Sequence, residues 1–169
     1  MEIRVYTNSE ELPQLDCSNF FHSQELFWMI EHTPRMSPCM AIAQDESGKV
    51  YGQILAIIRH RFTFLPFHLF DHARIYGEGT YDNNTTFKDK SQLFSDLINT
   101  LVKYLKTHGC RHIEISHISK KMFGYKALRK QRFFPVPWTQ IHNSLHSKQP
   151  EERAEDKTLY RIARAYKTG

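Results

Sequence analysis

The feature that most restricts this fold is the run from Ser91 to Ser116. Leu93, Leu97, Leu101 and Leu105 make one row at a spacing of four, and Phe94, Ile98 and Val102 make the adjacent row. That stripe is wide enough to cover a sheet. Gly109 offers a left-handed stop just past it. RHIEIS then alternates, with Ile113 and Ile115 on one face of a strand. A long amphipathic helix feeding at once into a strand implies an α/β layer. Ser91 is the expected cap, which predicts a helix over 91–108.

The rest of the chain supplies partners for that layer. Ile3 to Tyr6 alternates as a short strand. Ser23 caps an expected helix in which Leu26, Phe27 and Ile30 recur at three and four, and Pro34 ends it. CMAIAQ and VYGQILAIIRHRF flank a short polar segment containing Gly48, a hairpin signal, with a bulge or bend expected near Gly52. HARIYGEGTYD is a further strand ending in turn residues. Residues 119–131 are expected to be helical, with Met122, Phe123 and Ala127 inward. FFPVPWTQIHN is expected to return as an edge strand, since Pro135 and Pro137 cannot donate to a ladder.

Charge and cysteine content limit the function classes. Residues 1–58 hold three Lys/Arg against eight Asp/Glu, whereas residues 101–132 hold nine Lys/Arg and one Glu. Such asymmetry fits either a solvated face or an anionic partner for the basic part. Three cysteines, Cys17, Cys39 and Cys110, form no CxxC pair, which argues against a disulfide framework or structural zinc. Cys39 and Cys110 adjoin apolar runs and read as buried, inert thiols. His68 and His72 have metal-ligand spacing, but Pro66 argues against the helix that spacing needs, so no metal site is expected. No apolar run is long enough to span a bilayer, and the N-terminus lacks a secretory apolar core. The cytoplasm is the default location.

The order strand, helix, hairpin, strands, long helix, strand, helix, strand resembles the GNAT-type acyltransferase fold. LFSDLINTLVKYLKTHGCRHIEISH resembles the helix and strand that follow the coenzyme A loop in that superfamily, and KALRKQRFF resembles its final helix. Residues 19–54, with Phe21-His22-Ser23 at a helix start and Gly48 and Gly52 in the hairpin, resemble the FemAB-like branch. The resemblance covers roughly residues 18–143 and implies a mixed sheet of about six strands flanked by helices. FemAB-like proteins are usually two tandem lobes that transfer amino acids or other acyl groups to amines. The expected organisation is a GNAT-like domain over 1–145. Residues 146–169 would be a linker and the start of a helix leading to a second lobe, with Leu159, Ile162, Ala163 and Tyr166 on its apolar face.

Two departures matter. Coenzyme-binding lobes carry Arg/Gln-x-x-Gly-x-Gly/Ala before the long helix, where glycines let backbone N–H groups approach the pyrophosphate. Counting back from Gly109 places Asp89, Gln92 and Phe94 at those positions. Many members use a Tyr in the last helix as general acid; the matching position is Leu128, with Tyr125 one turn away. The resemblance therefore implies the N-terminal lobe of a transferase, with no cofactor of its own. Acyl-CoA or aminoacyl-tRNA would bind as donor in a second lobe, or a homo-oligomer would complete the enzyme.

Candidate chemistry concentrates in RIYGEGTYDNN. Glu78 and Asp82 could orient or deprotonate an amine. Tyr76 and Tyr81 could line an acceptor cleft, joined by His117 and Tyr125. The alternative is a strand end with a polar turn. Lys120, Lys121, Lys126, Arg129, Lys130 and Arg132 are the candidate surface for tRNA or another anion, against the plainer reading of a solvated helix face.

Overall fold

The structure is a computed structural model of the chain and describes residues 1–15, 18–60, 71–116, 118, 123–136 and 156–168. The chain divides into two units, Met1–Phe134 and Pro135–Gly169. In the first unit the strands are β1 (Glu2–Tyr6), β2 (Met36–Gln44), β3 (Val50–Arg59), β4 (His72–Tyr76), β5 (Thr80–Tyr81) and β6 (His112–Ser116). The helices are α1 (Gln24–Glu31), α2 (Phe87–Thr107) and α3 (Tyr125–Lys130). In the second unit Asp156–Thr168 is a helix, α4.

The six strands form one sheet in the order β1-β2-β3-β4-β6, with β5 pairing β3. All neighbours are antiparallel except β4 and β6, which run parallel from His72↔His112 to Tyr76↔Ser116. Between them in sequence lies α2, as a parallel pair requires a crossover. Its buried residues are Leu93, Phe94, Leu97, Ile98, Leu101, Val102 and Leu105, the two rows of the stripe. They pack on Cys39, Ala41, Ala43, Ile54, Ala56, Ile58, Ala73 and Ile75 of the sheet. On the opposite face α1 sets Phe27 and Ile30 against Met40, Ile42 and Leu55. Burying side chains of this size contributes roughly 1.5–3 kcal/mol each. The fold is thus a mixed six-stranded sheet between helices, as the resemblance implies.

Local details follow from residue chemistry. Ser23 Oγ accepts the Leu26 N–H at 3.2 Å and starts α1. The hairpin turn is held by Asp45, whose carboxylate accepts from the N–H groups of Ser47 and Lys49. Ala43 pairs with Gly52 and Gln44 with Val50, so Tyr51 is the extra residue of a bulge beside Gly52.

Three expectations need correction. The long helix begins at Phe87, four residues before Ser91, and its cap is Thr86. The first turn, FKDK, is too polar to extend the apolar stripe, so periodicity alone starts the helix late. Within residues 119–131 the described helix is only Tyr125–Lys130, and Phe123 is buried in the turn before it. Gly124 enters α3 at φ 64°, over the ring of Phe94; a Cβ there would collide with Cε1 of that ring. Residues 133–136 of the expected final strand are not strand, and Phe134 and Val136 stand exposed. The remainder of that strand lies outside the described residues, as do His68, His117, Lys120, Lys121 and Met122. No helix among the described residues is long and apolar enough to cross a membrane.

Candidate functional site

The parallel ladder of β4 and β6 ends where Gly77 N–H donates to Ser116 C=O at 2.7 Å. Beyond it the chain turns at Gly77 (φ 87°) and Gly79 (φ 94°), and β5 continues along β3 alone. β4 therefore turns away from β6 at the C-terminal end of the pair, the end at which open α/β sheets place ligands. Gly79 is required here: a Cβ would come within 2.7 Å of the Gln53 carbonyl oxygen and 2.6 Å of Ile54.

A buried histidine holds that turn. His22 is fully buried; the Leu55 N–H reaches its Nδ1 at 3.0 Å and the Gly79 N–H reaches its Nε2 at 3.1 Å. The Tyr76 backbone also bonds the ring. A neutral imidazole has one lone-pair nitrogen and one N–H. Both ring nitrogens face backbone N–H groups, so the single lone pair of the neutral ring accepts from only one of them. Protonation would aim a second N–H at an N–H donor. Burial above all pushes the His22 pKa down to about 4, against which the Tyr76 bond acts weakly. Gln53 Nε2 donates to the His22 carbonyl at 2.7 Å and completes the latch between the Phe20–His22 turn and β3.

On the α1 side of the sheet, β4 and β6 carry a polar stripe that the parallel register brings together. His72 faces His112 with ring centroids 4.4 Å apart. Arg74 pairs with Glu114 at 3.0 Å, and the same carboxylate lies 3.5 Å from His72 Nε2. Arg74 stacks over Tyr76 at 4.8 Å, and Tyr76 stacks on the half-exposed Phe21 at 5.3 Å. The hydroxyls of Thr80 and Ser116, flanking the parting, are buried without a hydrogen-bond partner among the described residues. Buried polar atoms left open in this way mark where a ligand can donate or accept. Sequence reasoning found Tyr76 but not Arg74, His72, His112 or Glu114. The signal was present as the matching alternations HARIY and HIEIS, which acquire meaning only once the strands are paired.

The other sequence-derived candidates are more scattered. Glu78 sits at the Gly77–Gly79 turn, half-buried, and its carbonyl accepts the Tyr81 hydroxyl at 2.5 Å. Burial, and secondarily the Glu78 carboxylate, push the Tyr81 phenol well above its usual range. Tyr81 and Asp82 line a cavity of about 410 Å³ with Lys49 and Tyr51; Tyr76 and Glu78 do not line it. Asp82 pairs with Lys49 at 2.8 Å, and that bond holds its carboxyl below the ordinary value. Tyr125 is exposed on α3, and Leu128 packs against the core beneath α2. Lys126, Arg129, Lys130 and Arg132 are all exposed, and Arg129 lies over the ring of Phe134 at 5.0 Å.

The entry to α2 has its own chemistry. Asp89, Gln92 and Phe94, matched by counting back from Gly109, all lie inside the helix, and Phe94 is fully buried. The turn that precedes the helix is Asp82–Thr86, DNNTT, and it contains no glycine. Thr86 Oγ1 accepts the Asp89 N–H at 3.3 Å and donates to Asp89 Oδ2 at 2.5 Å. A side-chain carboxylate thus occupies the electropositive first turn, where a phosphate would otherwise be favoured.

No protein-family model matches the sequence, and no relative among curated proteins is found from it. Solved structures do match. One described as a "probable acetyltransferase" superposes with a TM-score of 0.53 at 10% identity, over 88% of this chain and 100% of that one. The aminoglycoside N-acetyltransferase AAC(6')-Iy, solved with coenzyme A, gives 0.52 at 15% identity, over 85% and 98%. A variant of the BH1408 protein from Bacillus halodurans gives 0.50 at 14% identity, over 86% and 100%. The chain has the GNAT-type acyltransferase fold.

Proposed function

We propose that this chain is the acceptor side of an N-acyltransferase, as the FemAB-like resemblance implies, with the acyl donor held by a second lobe or subunit. The observation that carries this reading is the α2 entry. Where a donor phosphate would need glycines and open N–H groups, the chain has DNNTT and a Thr86–Asp89 capping pair. The β4–β6 side offers what an amine acceptor needs. Glu114 and Glu78 supply carboxylates near the parted strand ends, Phe21 and Tyr76 supply an aromatic wall, and Thr80 and Ser116 supply open hydroxyls. Glu78, at the glycine turn, is the candidate general base. Asp82 is committed to Lys49 and serves as a turn anchor in this reading.

Calorimetry with coenzyme A tests the donor half directly. No binding is expected at millimolar concentration, and micromolar affinity would refute the assignment. The acceptor half is tested by E78Q in the complete transferase, where a loss of about 100-fold or more in turnover is expected. Unchanged turnover would remove Glu78 from the mechanism.

A second reading rests on α3. Lys126, Arg129, Lys130 and Arg132 are exposed within seven residues that hold no acid, and Arg129 stacks on an exposed phenylalanine. That pattern suits tRNA or another polyanion. Neutralising Arg129, Lys130 and Arg132 together should lower affinity and flatten its dependence on salt. An unchanged salt slope excludes this surface.

A further inference from the structure

At the opposite end of β4 the core row on the α2 side of the sheet stops being apolar. Cys39, Ala41 and Ala43 on β2, Ile54, Ala56 and Ile58 on β3, and Ala73 and Ile75 on β4 share that side. The next positions outward in each strand, two residues on in every case, are Ser37, His60 and Asp71. His60 extends β3, its N–H donating to the Arg35 carbonyl, and Asp71 immediately precedes β4, whose His72 pairs with Arg59. Ser37 lies diagonally across the β2–β3 pair, within reach of a long side chain.

The three side chains are hydrogen-bonded in series. His60 Nδ1 lies 2.7 Å from Asp71 Oδ2, and His60 Nε2 lies 2.8 Å from Ser37 Oγ. An ionised carboxylate only accepts, so in the neutral ring Nδ1 carries the proton and Nε2 the lone pair. In that state Ser37 donates its O–H to His60. This is the order of roles in a Ser-His-Asp relay, which is recognised by geometry and not by sequence position. Asp71 is nearly buried, His60 is partly open, and both line a cavity of about 350 Å³ with Ser37, Tyr104 and His108. The volume falls in the range of small-molecule sites. Six residues of strand place this cavity about 20 Å from the Gly77 turn, outside the acceptor region.

We infer that Ser37 is a nucleophile activated by His60 and positioned by Asp71, forming a second reactive site that takes small activated esters. In the acylation step the Ser37 Oγ–acyl bond forms as the ester C–O bond breaks. The hydroxyl proton passes to His60 Nε2 and from there to the leaving alcohol. Water then hydrolyses the acyl-serine and restores both groups. The site does not depend on the acyltransferase reading, because it uses neither the β4–β6 stripe nor any bound donor.

A fluorophosphonate probe tests it, because phosphonylation traps an activated serine: the Oγ–P bond forms, the P–F bond breaks and fluoride leaves. The native protein should acquire one adduct, located on Ser37 by tandem mass spectrometry of the peptide 36–49. That peptide also contains Ser47, so the fragment ions decide between the two. H60A should slow labelling by about 100-fold, the scale of general-base assistance, and added imidazole should restore part of the rate. The same protein should hydrolyse 4-nitrophenyl acetate with a burst that S37A abolishes. An unlabelled native protein, an adduct on Ser47, or an S37A protein that labels at the native rate would overturn the inference. If S37A does not fold, the adduct position in the native protein decides alone.

Discussion

Along β4, Ala73 and Ile75 lie in the layer beneath α2, while His72, Arg74 and Tyr76 make ion-pair and ring contacts on the other side. β2 and β3 differ: Met40, Ile42 and Leu55 meet α1 as tightly as Cys39, Ala41 and Ile54 meet α2. Among the described residues the same sheet therefore contains a part sealed on both faces and a part sealed on one. The sealed part holds the apolar core, and the half-open part carries ion-pair and ring contacts. Side chains on that side of β4 and β6 can therefore change without touching the contacts beneath α2.

Experiments can widen or erase that distinction. The largest effect is expected on the sealed side. F94A removes a fully buried ring beneath α2 and should cost about 3–5 kcal/mol in urea unfolding. A cost under about 1 kcal/mol would mean that the α2 layer is not the principal core. G124A attacks the same ring from outside, at positive φ, and should cost somewhat less, about 2–3 kcal/mol.

Next comes the latch between the two parts. His22 stays neutral in the fold down to about pH 4 from an ordinary value of 6.5. Below the ordinary value the unfolded chain binds a proton that the folded chain refuses, so stability falls as the pH is lowered. The loss should begin near pH 6.5 and saturate near pH 4. At about 1.4 kcal/mol per unit it amounts to about 3 kcal/mol. H22Q, although less stable throughout, should show a shallower decline over that window. An equally steep decline would place the acid sensitivity elsewhere.

The smallest effect on stability is expected on the half-open side. R74A and E114A disrupt an ion pair that is more than one-third exposed, and each should change unfolding by less than about 1 kcal/mol. If the acceptor reading holds, E114Q should still raise the acceptor KM about tenfold with little change in kcat, since a charged hydrogen bond in binding is worth about that much. A stability loss comparable with that of F94A would show that the stripe is structural.

The sequence was most informative where one side chain pattern meets one environment. The stripe of α2 and the row of α1 were readable because a helix against a sheet repeats the same demand every turn. The hairpin was readable because Asp45 and Gly48 are turn residues between two apolar runs. The start of α2 was missed because its first turn is solvated and carries no stripe. The Arg74–Glu114 pair could not be read because partners forty residues apart meet only through a parallel register. Ser37, His60 and Asp71 look ordinary in sequence for the same reason: three strand ends have to be aligned before they form a series.

One buried feature has a practical use. Cys39 is fully buried and its thiol is pushed up to about 12 by desolvation, with Cys110 nearby adding to the effect; Cys110 is itself raised by burial. A thiolate is the reactive form, so neither sulfur should react with an alkylating reagent while the sheet and α2 remain together. Modification at these two positions, followed peptide by peptide, would therefore count the openings of the central layer. It would give a clock for the rarest breathing motion of the domain without any added reporter group.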